Sequence, residues 1–206
     1  MAGPGRLAAA AKPREEYPLA GGRLGFGTPV DSAVARRFRY DPNDPTPSVG
    51  GPRMDSRGFG PRDNAKLEAR DDVLTFTGPI LGDPYEVIGP VSLRLRGRGS
   101  SAHFDVFARL CDVDPGGKSW NVCDGIVRLD GGRPVDADGW TEIEVPMSAT
   151  AHRFGVGHRL RVQVSGGAHP RFARNTGTAE QIATATRLVP VDIELTNAVL
   201  SLPGAC

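Results

Sequence analysis

"VSLRLRGRGSSAHFDVFARL", Val91 to Leu110, holds two runs of strict alternation on either side of a glycine- and serine-rich crossing. In the first run Val91, Leu93 and Leu95 alternate with Ser92, Arg94 and Arg96; in the second Phe104, Val106, Ala108 and Leu110 alternate with Asp105, Phe107 and Arg109. A period of two places every other side chain on one face of an extended chain, so each run reads as a β-strand with one dry and one wet face. Two such strands in tandem point to an all-β domain.

Working outward from this pair, the same period recurs at Thr141, Ile143, Val145 and Met147, at Leu160, Val162 and Val164, and at Ile193 and Leu195. The punctuation between runs is turn chemistry: "DPGGK" (Asp114 to Lys118), "DGGRP" (Asp130 to Pro134) and "GVGH" (Gly155 to His158) supply glycines for backbone that other residues adopt poorly. About eight strands follow, with no helical period and no alternation of strand and helix, so the economical architecture is an antiparallel two-sheet jelly-roll sandwich of galactose-binding-like shape. A closed barrel is the second choice.

The sandwich is expected over residues 71–206. Ahead of it, residues 1–70 are rich in proline and glycine and lack a sustained apolar period, which predicts an irregular extended arm packing on the sandwich or on a partner domain. Its most patterned piece is "FRYDPNDPTPSVGGPRM", Phe38 to Met54. Residues before proline are pushed to extended geometry, and Asp41 and Asp44 can each cap a local turn, so this piece reads as a ribbon.

The chain has 206 residues, with 25 Lys and Arg against 24 Asp and Glu, a net charge of +1. No basic block stands out from that balance, which argues against nucleic acid or an anionic membrane as partner. No apolar run is long enough to cross a bilayer, and the opening "MAGPGRLAAAAKPREEYPLAGG" has only a short alanine stretch where a signal peptide needs a longer apolar core. The reading is a soluble, cytoplasmic chain. Cys111, Cys123 and Cys206 lack the spacing of a zinc site and are read as free thiols.

Chemistry is sparse. "SGGAHPRFARN", Ser165 to Asn175, gathers a serine, a histidine and two arginines, but Ser165 and His169 have no third member to orient a base. The Gly-x-Ser-x-Gly elbow of α/β-hydrolases is absent from the sequence, and "GSSAH" at Gly99 to His103 reads as a hairpin crossing. His103, His152, His158 and His169 are scattered without ligand spacing; Asp112 and Asp114, at one strand end, are a minor candidate for calcium. No phosphate loop or other cofactor motif is found, so no cofactor is expected. A sugar platform would draw on Trp120, Trp140 and Tyr85, which keeps a free-standing carbohydrate- or protein-binding module as the alternative function.

Several stretches together carry a resemblance: "YDPNDPTPSVGG" (Tyr40 to Gly51), "GPRDN" (Gly60 to Asn64), "DVLTFTGPILGDPYEVIGPVSLRL" (Asp72 to Leu95), "LCDVDPGG" (Leu110 to Gly117), "CDGIVRL" (Cys123 to Leu129), "GHRLRVQVS" (Gly157 to Ser165) and "HPRFARNTGT" (His169 to Thr178). In this order they resemble the C-terminal region of the X-Pro dipeptidyl-peptidase and cocaine-esterase-like acyl hydrolases. Members of that family join an α/β-hydrolase domain bearing a Ser-Asp-His triad, a helical cap and a non-catalytic jelly roll; the resemblance covers the third part alone. It implies no catalytic residue in this chain, and an α/β-hydrolase domain, in cis or in trans, as partner, with a homo-oligomer left open. It further implies that the ribbon lies between jelly roll and hydrolase, making Tyr40, Asp41, Asp44, Pro45 and Met54 candidates for the domain interface. "PRFARN" matches a bracing loop, with Arg171, Phe172, Arg174 and Asn175 as the brace and Ala173 where the family carries an acidic residue.

Overall fold

The computed structural model describes residues 14–25, 33–52 and 58–203. Ten strands form one hydrogen-bonded sheet: β1 (Arg14–Ala20), β2 (Arg23–Leu24), β3 (Arg36–Tyr40), β4 (Val73–Thr77), β5 (Tyr85–Gly99), β6 (His103–Val113), β7 (Ser119–Asp130), β8 (Thr141–Phe154), β9 (Arg159–Ser165) and β10 (Val191–Pro203). A single helical turn, α1 (Ala65–Glu68), is the one helix among the described residues. The expected all-β jelly-roll class holds.

The strand order is β7-β6-β9-β4-β2-β1-β10-β5-β8, with β3 also on β10. The sheet folds on itself into two limbs, β7-β6-β9-β4 and β1-β10-β5-β8, hinged at the short β2. Every pairing is antiparallel except the contact of β2 with β4, where Arg23 meets Thr77 in parallel. Between the limbs lies one apolar core, in which Val91, Leu93, Leu95, Ile143, Val145 and Leu200 of one limb pack on Val106, Ala108, Leu110, Val162 and Val164 of the other.

At the open seam the edge strands β7 and β8 come together without a ladder. Pro146 lacks the N–H that an edge partner would need, and a Cβ on Gly125 would overlap the Pro146 carbonyl oxygen. The sheet therefore rolls up without closing into a barrel.

Residues ahead of position 71 pack on this sheet as strands as well as ribbon. Tyr17 and Leu19 of β1 and Phe38 and Tyr40 of β3 turn inward, and both strands pair antiparallel with β10. Their apolar alternation is only two residues deep, too short to register as a period without the partner strand.

The two outer faces differ. On the β10-β5-β8 side cross-strand charges alternate: Arg98 pairs with Glu194 at 2.8 Å, Arg37 with Glu194 at 2.9 Å, Arg96 with Glu142 at 3.2 Å and with Asp136. Such exposed pairs contribute little to stability and mark a solvated face. The outer face of β6 is instead covered, and this corrects the expectation of one wet and one dry side: from Phe104 to Val113 every residue is buried. Phe107 and Arg109, on the supposedly wet side, lie under the ribbon and the loop that follows β9.

Candidate functional site

The ribbon that leaves β3 at Tyr40 crosses the outside of β6 and β9. Backbone bonds seat it against the loop after β9: Ser48 N–H donates to the His169 carbonyl at 2.7 Å and His169 N–H to the Thr46 carbonyl at 2.8 Å. Asp72, buried, accepts from the Thr46 hydroxyl at 2.7 Å and from Arg70 at 2.7 Å. Gly51 and Gly60 face each other and exchange N–H···O bonds of 2.9 and 3.0 Å.

Beneath that pairing sits a buried charge network. Arg109 is completely enclosed; its guanidinium donates to the Asp124 carboxylate at 2.9 Å, to the Val49 carbonyl at 2.6 Å and to Asn64 Oδ1 at 2.7 Å. Arg171 holds the other oxygen of Asp124 at 2.6 Å. Asn121 accepts from the Arg62 N–H at 2.8 Å and donates to the Gly60 carbonyl at 3.2 Å. Both sides of the pairing are thus tied to one set of side chains on β6 and β7. Burying these charges is tolerable only because each finds partners of opposite sign and further hydrogen bonds.

Arg171 and its neighbours form a second layer. Phe172 packs tilted on Phe107 with ring centroids 6.3 Å apart, and the Arg171 guanidinium lies over the Phe172 ring. Arg174 donates to the Pro42 carbonyl at 3.1 Å, and Asn175 donates to Asp105 at 2.7 Å while its own oxygen accepts the Gly177 N–H. Arg128 of β7 completes the Asp105 site with bonds of 2.8 and 2.6 Å. Of the interface candidates, Asp44 is exposed and paired with Arg70 at 3.0 Å, Asp41 accepts from the Asn43 N–H at 2.8 Å, and Pro45 is half-buried. Tyr40 is enclosed by this domain itself, its ring lying against Gly166 and Gly167, and Met54 falls outside the described residues. Burial, then the nearby Asp105 carboxylate, raises the Tyr40 phenol well above its ordinary range.

Arg109, Asp124, Asn64 and Asn121 were not among the site residues expected from the sequence. One signal was available: Phe107 between Asp105 and Arg109 is out of place on a wet face.

Residues 23–200 match the family described as the X-Pro dipeptidyl-peptidase C-terminal non-catalytic domain. The chain belongs to this family. It is similar to cocaine esterase of Rhodococcus sp. (strain MB1 Bresler), 40% identical over 156 residues that make up 72% of this chain and 27% of that protein. A solved α-amino acid ester hydrolase superposes with a TM-score of 0.81 at 26% identity, covering 93% of this chain and 36% of that one. An aminopeptidase from a marine sediment Thaumarchaeota archaeon shares the fold, with a TM-score of 0.82 at 22% identity over 95% of this chain and 37% of its own. The chain spans 27% to 37% of the length of these proteins.

In this X-Pro dipeptidyl-peptidase C-terminal domain Ser165 and His169, neighbours in the sequence cluster, are held as parts of the fold, the serine by its hydroxyl and the histidine by its backbone. The Ser165 hydroxyl is buried and donates to the Gly167 carbonyl at 3.0 Å, while the His169 backbone is held by the ribbon. Ser101 likewise donates to the Gly177 carbonyl at 3.0 Å. Asp112 lies between His152 Nε2 at 2.9 Å and His158 Nδ1 at 2.7 Å, and since a carboxylate only accepts, both ring nitrogens face it as donors. Asp114 accepts from the Trp120 indole N–H at 3.0 Å. The indole of Trp140 carries the Arg98 guanidinium 4.6 Å from its centre, so a cation occupies a face that a sugar ring would need.

Cys111 and Cys123 are buried free thiols, Cys111 on the outer face of β6 and Cys123 in the apolar core. Burial pushes both thiols up to about 12, with the Asp124 charge adding to the rise at Cys123. The thiolate is the reactive form. In a Cys206→Ser variant, Ellman's reagent at pH 8 will therefore find no reactive thiol in the folded domain and two in guanidinium chloride.

Proposed function

We propose that the chain is the C-terminal support domain of a serine hydrolase of the X-Pro dipeptidyl-peptidase and acyl-esterase type, docked in cis on the α/β-hydrolase part and holding the substrate cleft in shape. The observation that carries this reading is the coverage: a β-domain of a non-catalytic family matches 27% of one hydrolase and 36–37% of two solved enzymes. Parent chemistry of that type is cleavage of an ester, or of an amide after a penultimate proline.

The docking surface is the covered side of β6 and β7. There Phe59 is 56% exposed beside Pro52, Pro61 and Val122, which line a shallow hollow with Gly51, Gly60 and Asn121. An exposed aromatic in such a hollow suits a hydrolase surface that removes it from water. The opposite side, with its ladder of exposed ion pairs, suits solvent. Buried reduced thiols accord with a cytoplasmic setting.

The test is direct. Incubated alone with p-nitrophenyl acetate, with Gly-Pro-p-nitroanilide and with a fluorophosphonate probe, the chain will show no turnover above buffer and no labelled serine. Labelling of Ser165 or any other serine would overturn the reading.

A further inference from the structure

Where β5 crosses to β6 and β7 to β8, the sheet ends around a hollow of about 240 Å³. Its floor is apolar: Phe104 and Leu129, each 3% exposed, belong to the core and also line the hollow. Gly97 and Gly99 of β5 add walls of bare backbone. On the rim stands Val135, 62% exposed, in the connection from β7 to β8. A valine in water beside an apolar floor gains burial when a ligand fills the space. Sites for drug-sized ligands run to about 300–1,000 Å³, so this hollow suits a smaller molecule.

The charged residues that line it are two arginines and no acid. They differ in what they have to spare. Arg98 is committed: Nε and Nη2 donate to Glu194 at 3.1 and 2.8 Å, Nη1 donates to the Asp138 carbonyl at 3.1 Å, and the guanidinium lies over Trp140. Arg133 is exposed, forms no ion pair with any described residue, and makes a single long bond, Nη1 to the Glu142 carbonyl at 3.4 Å. That bond sets the guanidinium at the start of β8, beside Thr141, which is buried and lines the hollow. The Thr141 hydroxyl bonds to no described residue.

We propose that this hollow is a binding site for a small monocarboxylate with a short apolar tail. Arg133 takes the carboxylate through its free N–H groups, the Thr141 hydroxyl donates to the same group, and the tail lies on Phe104 and Leu129. A bare inorganic anion would leave the apolar floor unused, and a neutral ring would leave the guanidinium unpaired. The site is separate from the surface assigned to docking: Val122, which lines that surface, lies near the other end of β7, roughly 20 Å along the strand from Leu129. The inference therefore stands without the docking reading.

The test is a titration of the chain with sodium hexanoate at constant ionic strength, followed by NMR at the amides of Gly97, Gly99, Ala102, Gly131 and Gly139. Saturable shifts are expected there, with the amides of Val122 and Val162 unmoved. Hexanol, which lacks the charge, is expected to bind about tenfold more weakly, and acetate, which lacks the tail, not to saturate. Arg133→Ala, at an exposed position remote from the core, is expected to weaken hexanoate about tenfold, as loss of a charge-assisted pair predicts, with Arg133→Lys between the two. The absence of saturable shifts at these amides would overturn the site. Hexanol binding as tightly as hexanoate, or Arg133→Ala binding hexanoate as tightly as the parent, would overturn the assignment of a carboxylate to Arg133.

Discussion

Arg109→Ala will lower the stability of the domain by about 3–5 kcal/mol, the range found when one member of a buried ion pair is removed and its partner charge is left behind. The reasoning is local. Asp124 is buried and would keep only Arg171, at the rim, while the Val49 carbonyl and Asn64 Oδ1 would lose their donor in a region closed to water. For a chain of this length the loss corresponds to a fall in melting temperature of roughly 10 °C or more. Arg109→Met, which keeps much of the volume but not the charge, should be no better, because the carboxylate remains. Pairing it with Asp124→Asn should recover part of the loss, since the stranded charge is then gone. If Arg109→Ala melted within a degree or two of the parent, the network would be ornamental and the ribbon would be held by other forces.

Gly125→Ala is expected to be almost as damaging although it adds one methyl group. Gly125 lies in β7 where the sheet's two edges meet, and its Cβ would overlap the backbone carbonyl of Pro146 in β8. A carbonyl cannot swing aside as a side chain can, so the two edges must part and open the core behind them. Overpacking costs about 1–3 kcal/mol, and the upper end applies here because the backbone must move and the strands displaced carry Val127 and Leu129 on one side and Val145 and Met147 on the other. Gly82→Ala is the control, as a Cβ there meets nothing within 4 Å and the backbone is not left-handed. Thermal melts of the two variants side by side should differ by several degrees; equal melts would mean that β7 and β8 are not close at the seam.

Strands β5, β6, β8, β9 and β10 were readable because their inward faces repeat: Val91, Leu93 and Leu95, or Leu160, Val162 and Val164, stand on one side without interruption, whereas β4 and β7 have no such clean alternation of burial. Strands β1 and β3 were not readable, since Tyr17 with Leu19 and Phe38 with Tyr40 give two apolar positions each, and their order comes from pairing with β10. The outer face of β6 misled for a related reason. Alternation reports which residues share a side, and cannot tell whether that side meets water or another piece of the same chain. Asp105 and Arg109 are charged yet buried because Arg128, Asn175 and Asp124 meet them there, and those partners lie 15 to 70 residues away in sequence.

In the loop after β9 Arg174 donates to the Pro42 carbonyl, Asn175 to Asp105 and Arg171 to Asp124, three targets that no local pattern in the sequence singles out. Of the ribbon residues set out as interface candidates, Asp44 faces outward, but Tyr40 is part of this domain's own packing. A sequence shows that an aromatic residue will be buried more readily than it shows which body will bury it.

The measurement that bears most directly on the account is a segment exchange in the Rhodococcus cocaine esterase, replacing its matching region with this chain and following ester hydrolysis and its survival at 37 °C. A domain that supports a hydrolase predicts a soluble, active chimera that outlasts the same enzyme lacking the region altogether. An exchange product that is no more active and no longer-lived than the truncated enzyme would contradict it.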